Sequence, residues 1–162
     1  MILSRTSQYA IQALIFVATR PRGVPVLNRT MAEHLRVPPA YLAKILQQLC
    51  RGGLLQSARG RQGGFFLGEG REKADLMSVV ALIEGGGFVD ECVLGLKACE
   101  DRTACPLHFK WRPVREKIVS ILKEQTLESL AQAVASGKYR ISDVPQVLAG
   151  DKDPDASRPA AA

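Results

Sequence analysis

Residues 38–67 read PPAYLAKILQQLCRGGLLQSARGRQGGFFL. Pro39 suits the first position of a helix, where its missing N–H has no intrahelical partner to lose, and Gly52-Gly53 is a C-terminal stop. Between them Leu42, Ile45, Leu46 and Leu49 recur at helical spacing and form one apolar side. At about 100° per residue, Ala40, Lys44, Gln47, Gln48 and Arg51 fall on the other side. That face is small at its N-terminal end and otherwise polar and basic, as entry into a major groove requires. Two short apolar runs, 54–58 and 65–67, then flank the loop Arg59-Gly60-Arg61-Gln62-Gly63-Gly64. They predict a hairpin with a longer loop than a two-residue turn.

Upstream, 4–19 carries Tyr9, Ala13, Phe16 and Val17 at helical spacing behind Ser4 as a cap, and Pro21, Gly23 and Pro25 end it. Asn28 or Thr30 can cap a short second helix with Met31, Ala32 and Leu35, closed by Arg36-Val37-Pro38. A short helix, a tight turn, a second helix and a two-stranded wing make a winged helix-turn-helix, so the fold class is mostly α with a DNA-binding unit at the N-terminus. Tyr41 and Lys44 are the candidates for base edges, and Arg59 and Arg61 in the wing for phosphates or a narrowed minor groove. Downstream, Asp75 caps a helix over 76–84, and a longer helix over 109–124 places Trp111, Val114, Ile118, Ile121 and Leu122 on one stripe. Thr126 caps a last helix with Leu127, Leu130 and Val134.

The chain of 162 residues carries a formal charge of +6. Nearly all of the excess lies in residues 1–75, which hold eleven Lys/Arg against four Asp/Glu, whereas 76–162 hold eleven against twelve. A solvated basic face would also give such a bias, but the wing and its arginines point to a polyanionic partner, double-stranded DNA. No apolar run reaches the ~18 residues of a membrane span and no signal-peptide pattern opens the chain, so a cytoplasmic protein with reduced thiols is expected. No acid–base pair, Ser/His/Asp set or phosphate loop is evident, and the Gly60–Gly64 loop lacks the strand-to-helix context of a P-loop. An enzyme is therefore not expected.

Four cysteines separate into two kinds. Cys50 lies beside the apolar side of the third helix, next to Leu46 and Leu49, and reads as a small boundary residue. His34 reads as structural. Cys92, Cys99 and Cys105 form C-x6-C-x5-C, followed by His108 as C-x2-H, on a stretch too long and patternless for a compact domain unless something orders it. Thiolates with one imidazole are soft ligands. The spacing lacks the close cysteine pairs of a zinc finger and suits the wider iron–sulfur cluster better. A zinc site, a thiol redox switch or no ligand at all are the alternatives.

Together these features resemble the iron–sulfur-sensing winged-helix repressors of the IscR and NsrR type. The likeness spans about residues 1–135. It rests on Leu3-Ser4-Arg5-Thr6-Ser7-Gln8-Tyr9-Ala10, Pro39-Ala40-Tyr41-Leu42, Gly53-Leu54-Leu55 leading to the 59–64 loop, and the cysteine loop before Leu107-His108-Phe109-Lys110-Trp111. The resemblance implies a homodimer clasped by the long helix on a palindromic operator. It also implies a cluster on Cys92, Cys99 and Cys105, with a fourth, non-cysteine ligand that sets its type. IscR-like members place a histidine three residues after the last cysteine and hold [2Fe-2S]; His108 occupies that place. NsrR-like members use an aspartate in the first helix with [4Fe-4S]; the matching residue here is Gln8, which has no anionic oxygen. [2Fe-2S] on His108 is thus expected. Two departures stand out: the first cysteine gap is one residue longer than in IscR, and Ala43 replaces an acidic residue of the recognition helix that lets cluster state alter site choice. The organisation expected is a DNA-reading region over 1–70, a connecting helix over 71–87, a cluster loop over 88–108, dimerisation helices over 109–135 and an extension over 136–162, disordered at least from 150.

Overall fold

The computed structural model describes residues 3–87, 92–96 and 99–141. The expectations for 88–91, 97–98 and the end of the chain from 142 lie outside the described residues. Six α-helices and one two-stranded sheet are described, in the order α1 (Arg5–Ala18), α2 (Asn28–Leu35), α3 (Pro39–Arg51), β1 (Leu55–Ala58), β2 (Gly64–Leu67), α4 (Leu76–Glu84), α5 (His108–Glu124) and α6 (Leu127–Ala135). The mostly α winged helix-turn-helix expected from residues 38–67 is what forms.

Helix α1 is the central post. Its Ser4 cap accepts from the Ser7 N–H at 3.1 Å, a bond of the kind that contributes about 1 kcal/mol. Ala10, Ala13, Leu14, Phe16 and Val17 are buried, and α2, α3, α4 and α6 all pack on this helix. Leu14, Met31, Leu42, Leu46, Leu49, Val79, Val80 and Leu127 fill the space between them. Each such side chain contributes roughly 1.5–3 kcal/mol by leaving water.

The turn between α2 and α3 depends on Arg36, which adopts φ 53° and caps α2 in the left-handed conformation, while the Val37 N–H returns to the Ala32 carbonyl at 3.0 Å. Val37 is buried beneath it. The expected cap at Asn28 or Thr30 is not what forms. Leu27 occupies the cap position without a side-chain bond, and the Asn28 amide instead donates to the Pro39 carbonyl at 3.0 Å. Asn28 therefore ties the two helices across their turn.

The wing pairs antiparallel from Leu55 opposite Leu67 to Ala58 opposite Gly64. A further bridge was not foreseen: Val26 and Phe65 exchange both backbone hydrogen bonds at 2.8 Å, anchoring the wing to the chain before α2. Asp75 caps α4 through the Ser78 N–H at 2.7 Å, and Thr126 and Ser129 cap α6 reciprocally. The two starts are joined by Leu76 N–H to Gln125 O and Leu127 N–H to Ala74 O, both 3.0 Å.

Helix α5 begins one residue earlier than expected, at His108, and continues through Pro113. Its apolar stripe does not fill the core as a stripe usually does. Leu122 is buried and Trp111 and Ile118 are half-buried, whereas Val114 and Ile121 are 48% and 47% exposed and Phe109 is 65% exposed. Among the described residues no helix is long and apolar enough to cross a membrane.

Candidate functional site

The outer face of α3 is built as its periodicity requires. Leu42, Ile45, Leu46 and Leu49 are buried, and Ala40, Tyr41, Lys44, Gln47 and Arg51 are exposed along the opposite side. Arg59 and Arg61 are exposed at the wing turn. Two of the expected DNA-contacting side chains carry a bond inside the protein. The Gln48 amide donates to the Leu82 carbonyl at 3.1 Å, joining the recognition helix to the last turn of α4. The Tyr41 hydroxyl shares a 2.8 Å hydrogen bond with Thr6, and its ring meets Tyr9 edge-on with centroids 6.2 Å apart. Tyr41 thus braces the start of α3 against α1 while its ring stays partly exposed.

The last turn of α4 is held on a second side as well. One Glu84 carboxylate oxygen accepts from the Ser4 N–H at 3.0 Å and from the Ser7 hydroxyl at 2.5 Å. Burial alone would raise this carboxyl's pKa, but the bonds from Ser4 and Ser7 outweigh it and leave the group below its ordinary value. The chain then passes Gly85 at φ 92° toward Cys92.

Cys92, Cys99, Cys105 and His108 are brought to one place. The Cys92 thiol is buried, and its sulfur accepts from the N–H groups of Leu94 and Leu96, which hold its pKa below that of a free thiol against the opposing effect of burial. Weaker contributions come from hydrogen bonds with the side chains of Cys105 and Cys99. His108, the first residue of α5, is 2% exposed, and its Nδ1 lies 3.4 Å from the Cys99 sulfur. Its other nitrogen, Nε2, lies 2.7 Å from the Asp101 carboxylate, which also receives Arg112 at 3.0 and 3.3 Å. The His108 bond, and then Arg112, hold the Asp101 carboxyl below the usual carboxylate range despite some burial. None of the four cysteines is in a disulfide.

Among the described residues no group of three or more Cys, His, Asp or Glu is arranged to hold a metal ion as it stands. The donor chemistry nevertheless fits an iron–sulfur cluster: Cys99 and Cys105 lie near enough to act on the Cys92 thiol, and the buried His108 imidazole adjoins Cys99. Sequence reasoning missed Asp101 and Arg112. Arg112 stands one helical turn from His108, a spacing that can be read in the sequence, but nothing in the spacing of Asp101 marks it as the partner of the imidazole.

The remaining candidates sit apart from this place. Cys50 is half-buried on α3, and burial pushes its thiol up. His34 packs on the Phe16 ring with centroids 4.6 Å apart, and burial, with Arg20 nearby, lowers its pKa. The Gln8 amide donates to the Leu3 carbonyl at 3.1 Å, within its own helix start. A cavity of about 720 Å³ opens between the end of α1, β2 and α6, lined by Arg20, Phe66 and Glu128 among others, and does not include the thiols.

Residues 3–133 match the family model of Rrf2, described as an iron-dependent transcriptional regulator. A Haemophilus influenzae protein assigned as an HTH-type transcriptional regulator is 30% identical over 130 residues, covering 80% of this chain and 86% of that one. The transcriptional regulator IscR of Xenorhabdus nematophila is 28% identical over 132 residues, covering 82% and 80%. Among solved structures, CymR, the global cysteine regulator of B. subtilis, superposes with a TM-score of 0.67 at 23% identity, covering 81% of this chain and 96% of that one. IscR of T. potens gives 0.66 at 23% identity, covering 85% and 91%. At that identity the two structures support the fold.

Proposed function

The chain belongs to the Rrf2 family of transcriptional regulators, a family of DNA-binding proteins rather than enzymes, and from that premise we propose that it is a cytoplasmic, homodimeric repressor of a palindromic operator controlled by an iron–sulfur cluster of the [2Fe-2S] type. The observation that carries the cluster is the convergence of Cys92, Cys99 and Cys105 with the buried His108 at the start of α5. These four residues would hold it. When bound, the cluster supplies iron that responds to oxidants, nitric oxide or iron–sulfur supply.

The protein's own part is to link that place to the DNA-reading face. Residues 1–70 carry the reading head, 71–87 the connecting helix, 88–108 the ligand loop and 109–135 the dimerising helices. Helix α4 leads directly into the ligand loop, and its last turn is bonded to the recognition helix through Gln48 and to α1 through Glu84. A change in how the loop is ordered therefore acts on the element that also positions α3, the two-state coupling a regulator requires. Ala40, Tyr41, Lys44, Gln47 and Arg51 face the major groove in this reading, Gln48 stands at the edge of that face, and Arg59 and Arg61 reach the backbone from the wing.

Anaerobic purification followed by a visible spectrum, with iron, sulfide and zinc counted per chain, tests the cluster. A coloured protein with equal iron and sulfide is expected, and its affinity for operator DNA changes when the cluster is removed. A colourless protein with one equivalent of zinc sinks the cluster. The nearness of Cys99 and Cys105 to the Cys92 thiol favours one second reading, a thiol redox switch without metal. A metal-free protein that forms a disulfide among Cys92, Cys99 and Cys105 on oxidation, with altered DNA affinity, supports that reading instead. A cluster that survives His108→Ala rejects only the fourth ligand.

A further inference from the structure

The two ring nitrogens of His108 have different neighbours, and the difference decides which of them faces the thiols. Nε2 lies 2.7 Å from Asp101 Oδ1, while Nδ1 lies 3.4 Å from the Cys99 sulfur. An ionised carboxylate can only accept, so Nε2 carries the proton. The neutral imidazole that metal binding requires has one N–H, so in that form Nδ1 keeps its lone pair toward the thiols.

Asp101 is exposed and would not hold this position unaided in water. Arg112 binds both of its oxygens, at 3.0 and 3.3 Å, from one turn along α5 on the face that carries His108. Glu116, a further turn on, lies 3.9 Å from Arg112 Nε, and the Arg112 guanidinium lies 6.0 Å from the centre of the Phe109 ring. The imidazole is thus fixed from behind by a chain that starts on the ligand loop, between Cys99 and Cys105, and ends on α5. A ligating histidine is commonly oriented in this way by a carboxylate on its distal nitrogen, which also makes the imidazole a stronger electron donor.

We propose that Asp101, held by Arg112, is a positioning residue that fixes the tautomer of His108 and makes Nδ1 the iron-binding nitrogen. This rests on the cluster reading above. It goes beyond it by naming the ligating atom and by assigning a function to two residues outside the ligand set. Electron donation through the Asp101–His108 pair stabilises the oxidised cluster and lowers its reduction potential.

The test uses the full-length protein purified anaerobically with its cluster, from cells supplied with histidine carrying 15N at Nδ1 alone or at Nε2 alone. Pulsed EPR of the reduced cluster should show strong 15N coupling from the Nδ1 label and weak coupling from the Nε2 label. His34, the other histidine, packs on Phe16 in the reading head and gives neither. Strong coupling from the Nε2 label overturns the proposal while leaving His108 a ligand. Strong coupling from neither overturns His108 as a ligand and the proposal together, with the cluster intact. A protein without iron and sulfide overturns the cluster reading, and the proposal falls with it. In a second arm, Asp101→Ala shifts the midpoint potential upward, and Arg112→Ala shifts it the same way by less. Unchanged potentials in both loaded variants overturn the positioning role. The labelled wild type needs no variant to fold, so its outcome stands even where Asp101→Ala does not.

Discussion

Glu84 ends α4 with its carboxylate bonded back to the first turn of α1, and its titration makes that junction sensitive to pH. Burial opposes ionisation there, but the Ser4 N–H and Ser7 hydroxyl prevail and the folded-state pKa is lowered. A lowered carboxylate contributes stability above its unfolded value, about 4.3, and loses it as pH falls through the lower folded value. Glu84→Gln keeps an acceptor oxygen without the charge. Thermal melts of the two proteins should therefore differ at pH 7, with the wild type the more stable, and converge as the pH falls through the lowered folded-state value. A gap that stays constant with pH would reject the charged bond. Gly64 stands at φ 147°, where an added Cβ would meet the Val26 backbone at 2.5–3.0 Å. Gly64→Ala should lower stability by roughly 1–3 kcal/mol and loosen the Val26–Phe65 bridge, with weaker amide protection at Phe65 as its local signature. That this loop needed glycine was legible in Gly63-Gly64. The reason was not, because the backbone that crowds Gly64 comes from the segment before α2, and no local pattern marks Val26 as a strand partner.

Helix α3 shows how far periodicity reaches and where it stops. Its start at Pro39, its end at Arg51 and its buried leucines all followed from the spacing of apolar residues and the flanking Pro and Gly. The wheel also put Gln47 and Gln48 on one outer face, but they part at the edge of it: Gln47 is exposed, whereas Gln48 is half-buried and bonded to Leu82. A wheel cannot see α4. The same packing fills the space beside Gly52, where an added Cβ would sit 2.2 Å from a Leu82 methyl. Gln48→Ala should lower stability by about 0.5–1.5 kcal/mol, the net worth of one hydrogen bond, and weaken operator binding without changing sequence preference. Gln47→Ala should leave the melting temperature in place and relax preference at the base pairs beneath it. Equal effects of the two substitutions on preference would put both side chains in the groove. In the wing, where the exposed arginines act as charges, Arg59→Ala and Arg61→Ala should each reduce the slope of log affinity against log salt by about 0.9 for every phosphate left without its arginine. Of the proposed ligand place, the spacing could single out the three cysteines and the histidine as candidates. Asp101 and Arg112 were not singled out, because the hydrogen-bond partner of a buried imidazole obeys no spacing rule and is found only when the loop is folded.

At the scale of the molecule, the positive charge gathered in residues 1–75 and the apolar stripe of α5 serve two ends of one task. A reading head with a short recognition helix makes few base contacts, and two heads held at fixed spacing multiply their affinities through a high effective concentration. The described chain has a surface suited to that role. Phe109, Val114 and Ile121 lie exposed along α5, the last two on the apolar stripe that the spacing marks. Isolated apolar residues on a surface need no explanation, but Val114 and Ile121, two turns apart on one face of α5, suit the homodimer proposed above. Apolar spacing marked this stripe without saying what covers it, because it gives the face that avoids water and not whether the same chain or a second copy lies on it. Val114→Glu with Ile121→Glu places two charges on side chains that contribute little to the fold of one chain, so the helical circular dichroism and the melting of the reading head should persist. Sedimentation of this variant should give a monomer where the wild type gives a dimer. Its affinity for a full palindrome should fall about 10²–10⁴-fold, the avidity that disappears when the two heads are no longer joined, while its affinity for an isolated half-site stays near that of the wild type. A variant that still sediments as a dimer moves the interface away from α5. A monomeric variant that keeps full affinity for the palindrome shows instead that the two heads are joined on the DNA and not by this helix.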